Sequence, residues 1–182
     1  MYPTDTLYGF GADAFSDEAV AKVYDIKSRD ERKPIHCVVD TMEMAAKYGI
    51  INATALRLAT EFLPGPLTIV VEKSDKRNSG IARDMKTIGF RIPKHDFCIA
   101  LARAFGKPYT TTSANISGEK SELSSEKILS QLGDIASCID LVIDAGELSE
   151  KRPSTVVGVS DEDIAILREG AIPASKIWNA LS

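Results

Sequence analysis

Histidine and cysteine are scarce in this chain, and neither occurs in a pattern that holds a metal. The 182 residues include two histidines and three cysteines. Cys37, Cys98 and Cys138 stand singly in apolar stretches, and there is no Cys-x-x-Cys pair. A histidine-rich metal centre and a zinc clamp are therefore excluded, and the odd cysteine count argues against a disulfide framework. We expect small buried thiols in a reducing compartment.

Several sequence signatures of catalysis are also missing. The chain has no Gly-x-x-x-x-Gly-Lys-Ser/Thr loop, no Gly-x-Gly-x-x-Gly after a strand and no Gly-x-Ser-x-Gly elbow. Two histidines leave little room for a Ser-His-Asp triad. We interpret His36, in the middle of a predicted strand, and His95, after a basic strand end, as structural or surface residues.

Long apolar runs are absent as well. The longest, residues 67–71, is interrupted by Thr68, so no segment is long enough to span a membrane. No signal-peptide pattern occurs at the start, and we expect a cytoplasmic protein without a membrane partner. The length fits one domain. The formal net charge of −4 argues against a general nucleic-acid binder.

Apolar and amphipathic segments alternate irregularly, which predicts an α/β fold. Strands are predicted at residues 34–39, 67–72, 88–92, 108–112, 139–143, 155–159 and 164–167. Helices are predicted after the caps Ser16, Thr41, Asn52, Asp96 and Ser124 and from Pro173 onwards. Because some strands follow each other directly, we expect a twisted, mixed open sheet with helices packed on it.

Two segments are basic in spite of the net acidity, residues 27–33 and 73–94. The second holds seven basic residues against Asp75 and Asp84. Lys27 extends the apolar stripe of its helix, so that it either snorkels to solvent or points a charge into a cleft. Arg91 lies inside an apolar strand, where a buried guanidinium needs an anionic partner.

Hydroxyl side chains cluster at two places, residues 110–115 and the pair Thr4 and Thr6. Hydroxyls and an asparagine amide at a strand end can donate to anionic oxygens, although the same residues are common in capped turns. Combined with the scattered lysines and arginines, these clusters suggest a cleft for a phosphorylated ligand.

Six motifs in chain order resemble those of the YrdC/TsaC family. Residues 2–11 read Tyr-Pro-Thr-Asp-Thr-Leu-Tyr-Gly-Phe-Gly and resemble the opening signature of that family. Lys27-Ser28-Arg29 resembles its Lys-x-Arg element, and Ser113-Ala114-Asn115 resembles its Ser-x-Asn element. The remaining matches are residues 91–93 with His95, residues 153–157 and residues 167–170.

The resemblance implies a single YrdC-like α/β domain over residues 1–182, with a concave basic face. Relatives usually have a helix and a strand before the Pro-Thr-Asp-Thr element, so we expect the N-terminal helix and strand to be truncated. The resemblance also implies a nucleotidyltransferase, L-threonylcarbamoyladenylate synthase. This enzyme condenses L-threonine, bicarbonate and ATP into threonylcarbamoyl-AMP and pyrophosphate.

The implied partners follow from that reaction. A threonylcarbamoyl transferase complex would use the product for the threonylcarbamoyladenosine modification of tRNA, and tRNA itself is a further candidate partner. Mg²⁺ would arrive with ATP, and no metal ligand is expected from protein side chains.

The site residues implied by the family carry over by position. The catalytic set is Lys27, Arg29, Ser113 and Asn115. The threonine-binding set is Thr6, Arg91, Thr111 and Ser154. The ATP-binding set is Arg29, Lys33, Thr87, Ser113, Ser121 and Arg168, with Lys33 standing where many relatives have asparagine.

Two alternatives stay open from the sequence. One is an RNA-binding module that uses the basic segments, which predicts binding that weakens steeply with salt. The other is a YciO-like paralogue with the same fold and a different or weak activity, because these paralogues share much of the motif pattern. Gly158, where an aspartate often follows the Ser-Thr-Val-Val element, is a departure from the synthase pattern.

Overall fold

The computed structural model of the chain describes residues 1–31, 33–74, 78–149, 152–161 and 163–182. Of the basic segments, residues 32 and 75–77 therefore lie outside the described residues. The strands are β1 (Gly9–Phe10), β2 (His36–Val38), β3 (Leu67–Glu72), β4 (Thr87–Arg91), β5 (Tyr109–Ser113), β6 (Thr155–Val159) and β7 (Ile164–Arg168).

These strands form one mixed sheet in the order β1-β5-β2-β4-β3-β6-β7. β2 runs parallel to β4 and β3 runs parallel to β6, whereas the other neighbouring pairs are antiparallel. The central strands are apolar and deeply buried, with Ile69 and Phe90 paired across β3 and β4. The predicted α/β fold with a mixed open sheet is thus confirmed.

The helices begin where side-chain oxygens can accept hydrogen bonds from free backbone N–H groups. Ser16, Thr41, Asn52 and Ser124 each accept a bond from the residue three positions on, as predicted. The helices are α1 (Asp17–Ile26), α2 (Met42–Ala45), α3 (Ala53–Phe62), α4 (Asp96–Phe105), α5 (Ser125–Leu132) and α6 (Ala174–Leu181).

Three predictions of secondary structure differ from the structure. Pro173 is the cap of α6 and not its first helical residue. Asp96 is the first helical residue of α4 rather than its cap, and His95 occupies the cap position without a side-chain bond. The predicted strand at residues 139–143 is wrong. Its backbone lies beside Met1, with the Met1 amine donating to Leu141 O at 2.8 Å and Ile143 N donating to Met1 O at 2.9 Å. Met1 is a single residue, and a strand needs a longer neighbouring segment to form a ladder of hydrogen bonds.

The apolar faces of the helices pack against this sheet. α1 buries Val20, Val23 and Ile26, and α3 buries Ala55, Leu58 and Ala59. Within the described ranges, no helix has the length and the apolar character needed to cross a bilayer. The packed sheet serves as a rigid base, and a cleft opens where its polar strand ends meet the segment before β1.

Candidate active site

The cleft has a volume of about 380 Å³, which is in the range of small-molecule sites. Four cationic side chains line it, Arg29, Arg91, Lys120 and Arg168. Among the described residues that line it there is no aspartate or glutamate. Hydroxyl groups from five threonines and three serines add neutral hydrogen-bonding groups to its wall. The cleft is therefore suited to a ligand with several negative charges.

At one end of the cleft, Arg91 is held by the segment that precedes β1. Its Nη1 donates to Thr6 Oγ1 at 3.1 Å, and its Nη2 donates to Asp5 Oδ1 at 2.5 Å. Its Nε lies 3.4 Å from Gly65 O. The Arg91 side chain is only 6% exposed. The anionic partner that the sequence required for Arg91 is present inside the protein, as Asp5.

The turn that carries Asp5 and Thr6 is fixed by its own hydrogen bonds. Thr4 Oγ1 donates to Leu7 O at 2.6 Å and accepts from the backbone N–H of Thr6 at 3.1 Å. Asp5 Oδ2 accepts from Lys94 N at 3.1 Å. Alternating hydroxyl and carboxylate side chains in a tight turn thus orient the guanidinium of Arg91 before any ligand binds.

Arg168, at the end of β7, binds the segment that precedes β6. Its Nε and Nη2 donate to Ser154 O at 3.2 and 2.8 Å, and Nη2 is 3.1 Å from Ser154 Oγ. Ser154 Oγ is in turn 3.0 Å from Thr68 Oγ1 on β3. Burial, then Arg91 and then Arg29, lower the pKa of Arg168. Mutual repulsion among these guanidiniums favours the binding of an anion between them.

Lys27 lies beneath the cleft and not on its wall. The residue is 1% exposed and does not line the cleft, so neither of the two alternatives from the sequence, snorkelling to solvent or pointing a charge into a cleft, describes it. Its Nζ donates to Ser113 O, to Asn115 O at 2.8 Å and to Asn115 Oδ1 at 3.0 Å. Burial, and to a smaller extent Arg29, lower the pKa of Lys27 to about 7.

The Ser-x-Asn element forms a compact network with that lysine. Ser113 Oγ donates to Asn115 Oδ1 at 2.6 Å, and Asn115 Nδ2 donates to Ile116 O at 2.9 Å and Glu119 O at 2.6 Å. Ser113 lines the cleft, whereas Asn115 is buried behind it. Lys27 and Asn115 therefore position the end of β5, where Ser113 lies.

Ser28 separates the two basic residues of the Lys-x-Arg element with a left-handed backbone conformation, φ 47°. After this turn the chain places Arg29 at the cleft, where its Nε and Nη2 donate to Lys33 O and Pro34 O, each at 3.2 Å. Lys33 contributes its carbonyl to this contact and is itself exposed.

Of the other predicted site residues, two line the cleft and two do not. Thr111 on β5 and Ser121 in the loop before α5 both line the cleft. Thr87 is the first residue of β4 and Arg91 is the last, and Thr87 is exposed. Neither Thr87 nor Lys33 is among the described residues that line the cleft. The ligand that each side chain contacts remains a prediction.

Sequence reasoning missed several residues that line the cleft or support its wall. Asp5 could have been found, because it stands between two residues that were considered, Thr4 and Thr6. Thr68 and Lys120 carry no sequence signal of their own. His36 was interpreted as structural or surface, whereas the structure places it on the cleft wall. Burial, followed by the charges of Arg168 and Arg29, lowers the pKa of His36 to about 4.

A twisted mixed sheet that carries a cationic cleft without a carboxylate on its described wall defines a YrdC-like α/β protein with an anion-binding site. The sequence model of the Sua5/YciO/YrdC family, described as "Telomere recombination", matches residues 1–170. The chain belongs to this family.

Curated relatives come from distant organisms. A protein of Methanocaldococcus jannaschii is 41% identical over 96% of this chain and 80% of its own length. Proteins named threonylcarbamoyl-AMP synthase from Mus musculus and Pyrococcus abyssi are each 34% identical, over 90% and 97% of this chain. The chain spans 57% of the mouse protein and 51% of the Pyrococcus protein.

Solved structures show the same fold. Sua5 of Pyrococcus abyssi, complexed with L-threonine, superposes with a TM-score of 0.89 at 30% identity, over 99% of this chain and 52% of that one. YciO of Escherichia coli superposes with a TM-score of 0.84 at 25% identity, over 97% of this chain and 84% of that one.

Proposed function

We propose that this chain is a threonylcarbamoyl-AMP synthase, which joins L-threonine, bicarbonate and ATP and releases pyrophosphate. The observation that carries the proposal is the charge of the cleft. Arg91 and Arg168 both line it and repel each other, and no carboxylate lines the described wall. An amino-acid carboxylate and a polyphosphate can both be neutralised there. The curated relatives and the threonine complex of Sua5 support this choice of ligands.

The reaction has two bond-forming steps. The neutral amine of threonine first attacks the carbon of bicarbonate, and loss of water leaves a carbamate. A carbamate oxygen then attacks the α-phosphorus of ATP, and the bond to the bridging oxygen of pyrophosphate breaks. No protein nucleophile is required, so that alignment of the reactants and neutralisation of charge are the protein's tasks.

The threonine end of the cleft is assigned to Arg91, Thr6, Thr111 and Ser154. A guanidinium fixed by Asp5 can bind a carboxylate in a defined orientation, which places the substrate amine toward the centre of the cleft. The phosphate end is assigned to Arg29, Arg168, Ser113 and Ser121. Lys27 and Asn115 act through Ser113 because neither lines the cleft.

Mg²⁺ belongs to this scheme as part of the substrate Mg·ATP. The described residues contain no group of three or more histidine, cysteine, aspartate or glutamate side chains that could hold a metal ion. The guanidinium and ammonium groups of the cleft wall cannot coordinate a divalent cation, whereas its hydroxyl groups and the His36 imidazole are neutral donors. We therefore assign most of the Mg²⁺ ligands to the phosphates of ATP.

The product is a mixed anhydride of a carbamate and a phosphate, which is reactive toward amines. The reaction that consumes it transfers the threonylcarbamoyl group to an amine. We assign that step to a threonylcarbamoyl transferase complex that modifies an adenosine of tRNA.

The test is pyrophosphate release by the purified chain. We expect release that needs L-threonine and bicarbonate together and is lost in Arg91→Gln and Arg168→Gln. Lys22→Gln is the matched control, since Lys22 forms an exposed ion pair with Asp140 and neither residue lines the cleft. Release that is unchanged when threonine is omitted would overturn the proposal.

A YciO-like activity is the second candidate, because the chain covers 84% of the Escherichia coli YciO structure and shares its fold. It predicts nucleotide binding without threonine-dependent turnover. Calorimetry separates the two candidates: a synthase binds threonine and ATP with mutual enhancement, whereas independent or absent threonine binding favours the second candidate.

A further inference from the structure

His36 occupies a place in the cleft to which no role has been given. It is the first residue of β2, and it lies directly opposite Thr111 on β5, so that both side chains face the cleft. On its other side the ring lies against Gly89 of β4. A Cβ added at Gly89 would fall 2.2 Å from His36 Nδ1, so only glycine allows the ring this position.

The imidazole has no hydrogen-bond partner within the described part of the chain. Nδ1, Cγ and Cε1 are the ring atoms nearest to Gly89, which leaves Nε2 on the side away from that strand. A partly buried ring nitrogen that lines a polar cleft and has no partner among the described residues is available to a ligand.

Burial of the ring, and then the positive charges around it, lower the pKa of His36. Arg168 on β7 and Arg29 after α1 both act on the ring, and Arg91 lies two residues beyond Gly89 on β4. Thr111 on β5 is neutral, and Lys120 adds a further positive charge to the cleft wall. Asp5, the nearby carboxylate that we describe, is paired with Arg91. The free cleft therefore keeps the imidazole neutral.

We propose that His36 is a phosphate ligand of the nucleotide site, and that it takes up a proton from solvent when a polyphosphate binds between Arg29 and Arg168. The inference rests on the proposed function for the identity of the ligand. Phosphate oxygens cancel the repulsion from the two guanidiniums and accept a charge-assisted hydrogen bond from the new N–H group. Binding of the ligand and protonation of His36 then strengthen each other, since linkage is reciprocal.

The direct test is an NMR titration of the imidazole signals in the complete chain. The sequence has two histidines, so two Hε1 signals are expected, and His95→Gln assigns them. The probe is inorganic pyrophosphate at saturation. We expect the titration midpoint of His36 to rise by about one pH unit or more, which corresponds to at least tenfold tighter binding of pyrophosphate to the protonated form. The His95 midpoint should not move.

A variant supplies the second measurement. His36→Gln keeps an uncharged donor. For a midpoint that rises from about 4 to about 5, pyrophosphate should bind this variant about fivefold more weakly than wild type at pH 4, about twofold more weakly at pH 5 and about equally at pH 8. Arg168→Gln should raise the His36 midpoint in the free protein, because one repelling charge is removed.

The outcomes separate this inference from the proposed function. Pyrophosphate binding and threonine-dependent turnover with an unmoved His36 midpoint overturn the inference alone. Failure of pyrophosphate to bind at any pH overturns both. Unchanged pyrophosphate affinity in His36→Gln at pH 4 and pH 5 also contradicts the inference, because the protonated imidazole would then contribute nothing to binding.

Discussion

Arg91 and Asp5 lie 86 positions apart in sequence and form a buried ion pair, with 2.5 Å between Nη2 and Oδ1. Their side chains are 6% and 11% exposed. The second carboxylate oxygen of Asp5 accepts from Lys94 N. The carboxylate therefore ties the segment before β1 to the end of β4 and to the residues that follow it, and it fixes the direction in which the guanidinium faces the cleft.

Asp5→Asn should destabilise the protein by about 3–5 kcal/mol, because it leaves the buried charge of Arg91 without its partner. Urea denaturation measures the change. Asp140→Asn is the matched control: it also removes a carboxylate from an ion pair, but this aspartate is exposed and no measurable change is expected. Equal losses in the two variants would show that burial of the pair does not determine its contribution.

Lys27→Met should lower kcat for pyrophosphate release by about 100-fold, the effect of a small misplacement of a reacting group. Methionine fills the space but leaves the carbonyls of Ser113 and Asn115 without their donor. The KM for threonine should change little, because the threonine end is held by Arg91. Steady-state kinetics separate the two parameters, and Lys22→Met serves as the surface control. A rise in threonine KM with unchanged kcat would contradict the positioning role.

Gly170→Ala should displace Ser154, which lines the cleft. A Cβ there would lie 2.2 Å from Pro153 O and 2.5 Å from the Ser154 carbonyl carbon, so the backbone of Ser154 has to move. We expect a loss of a few kcal/mol in unfolding free energy and a higher KM for threonine. Gly158→Ala is the matched control, since its new Cβ meets mainly the side chain of Leu167 at 3.4 Å. Thermal denaturation and initial rates are the measurements.

The free energy of unfolding should depend on pH through His36. Its pKa is about 4 in the fold and about 6.5 in the unfolded chain, so the unfolded state binds more protons between these values. Above pH 6.5 the ring is mostly neutral in both states, so the free energy of unfolding has its full value there. It falls as the pH is lowered toward 4, by at most about 1.4 kcal/mol per pH unit. Denaturant titrations from pH 4 to 8 should show a steeper slope for wild type than for His36→Gln.

The sequence predicted the elements of this fold well wherever local chemistry specifies them. Ser16, Thr41, Asn52 and Ser124 cap helices because an oxygen at that position accepts from a nearby backbone N–H group. The segment 139–143 was predicted as a strand from its apolar residues. Strand formation requires a neighbouring strand of matching length, and that is a property of the whole fold.

The residues of the site could be predicted from the sequence, but the contacts between them could not. The motifs drew attention to Lys27 and Arg91, and periodicity placed Lys27 on the apolar side of α1. Its acceptors, Ser113 and Asn115, lie more than 80 residues away, so its function as a buried clamp depends on tertiary contacts. The lowered pKa of His36 likewise depends on burial by the folded sheet and then on Arg168 and Arg29, which come from separate parts of the chain.

The cleft wall joins two segments that are far apart in sequence, with Thr4 and Thr6 in one and Ser154 and Arg168 in the other. A local opening of either segment removes part of the ligand contacts, so a ligand that binds both favours the state in which both are closed. Ligand binding should therefore couple their opening equilibria. Amide hydrogen exchange in residues 2–8 and 153–170 would then slow in parallel as threonine and ATP are added, although these segments are separated by almost the whole chain.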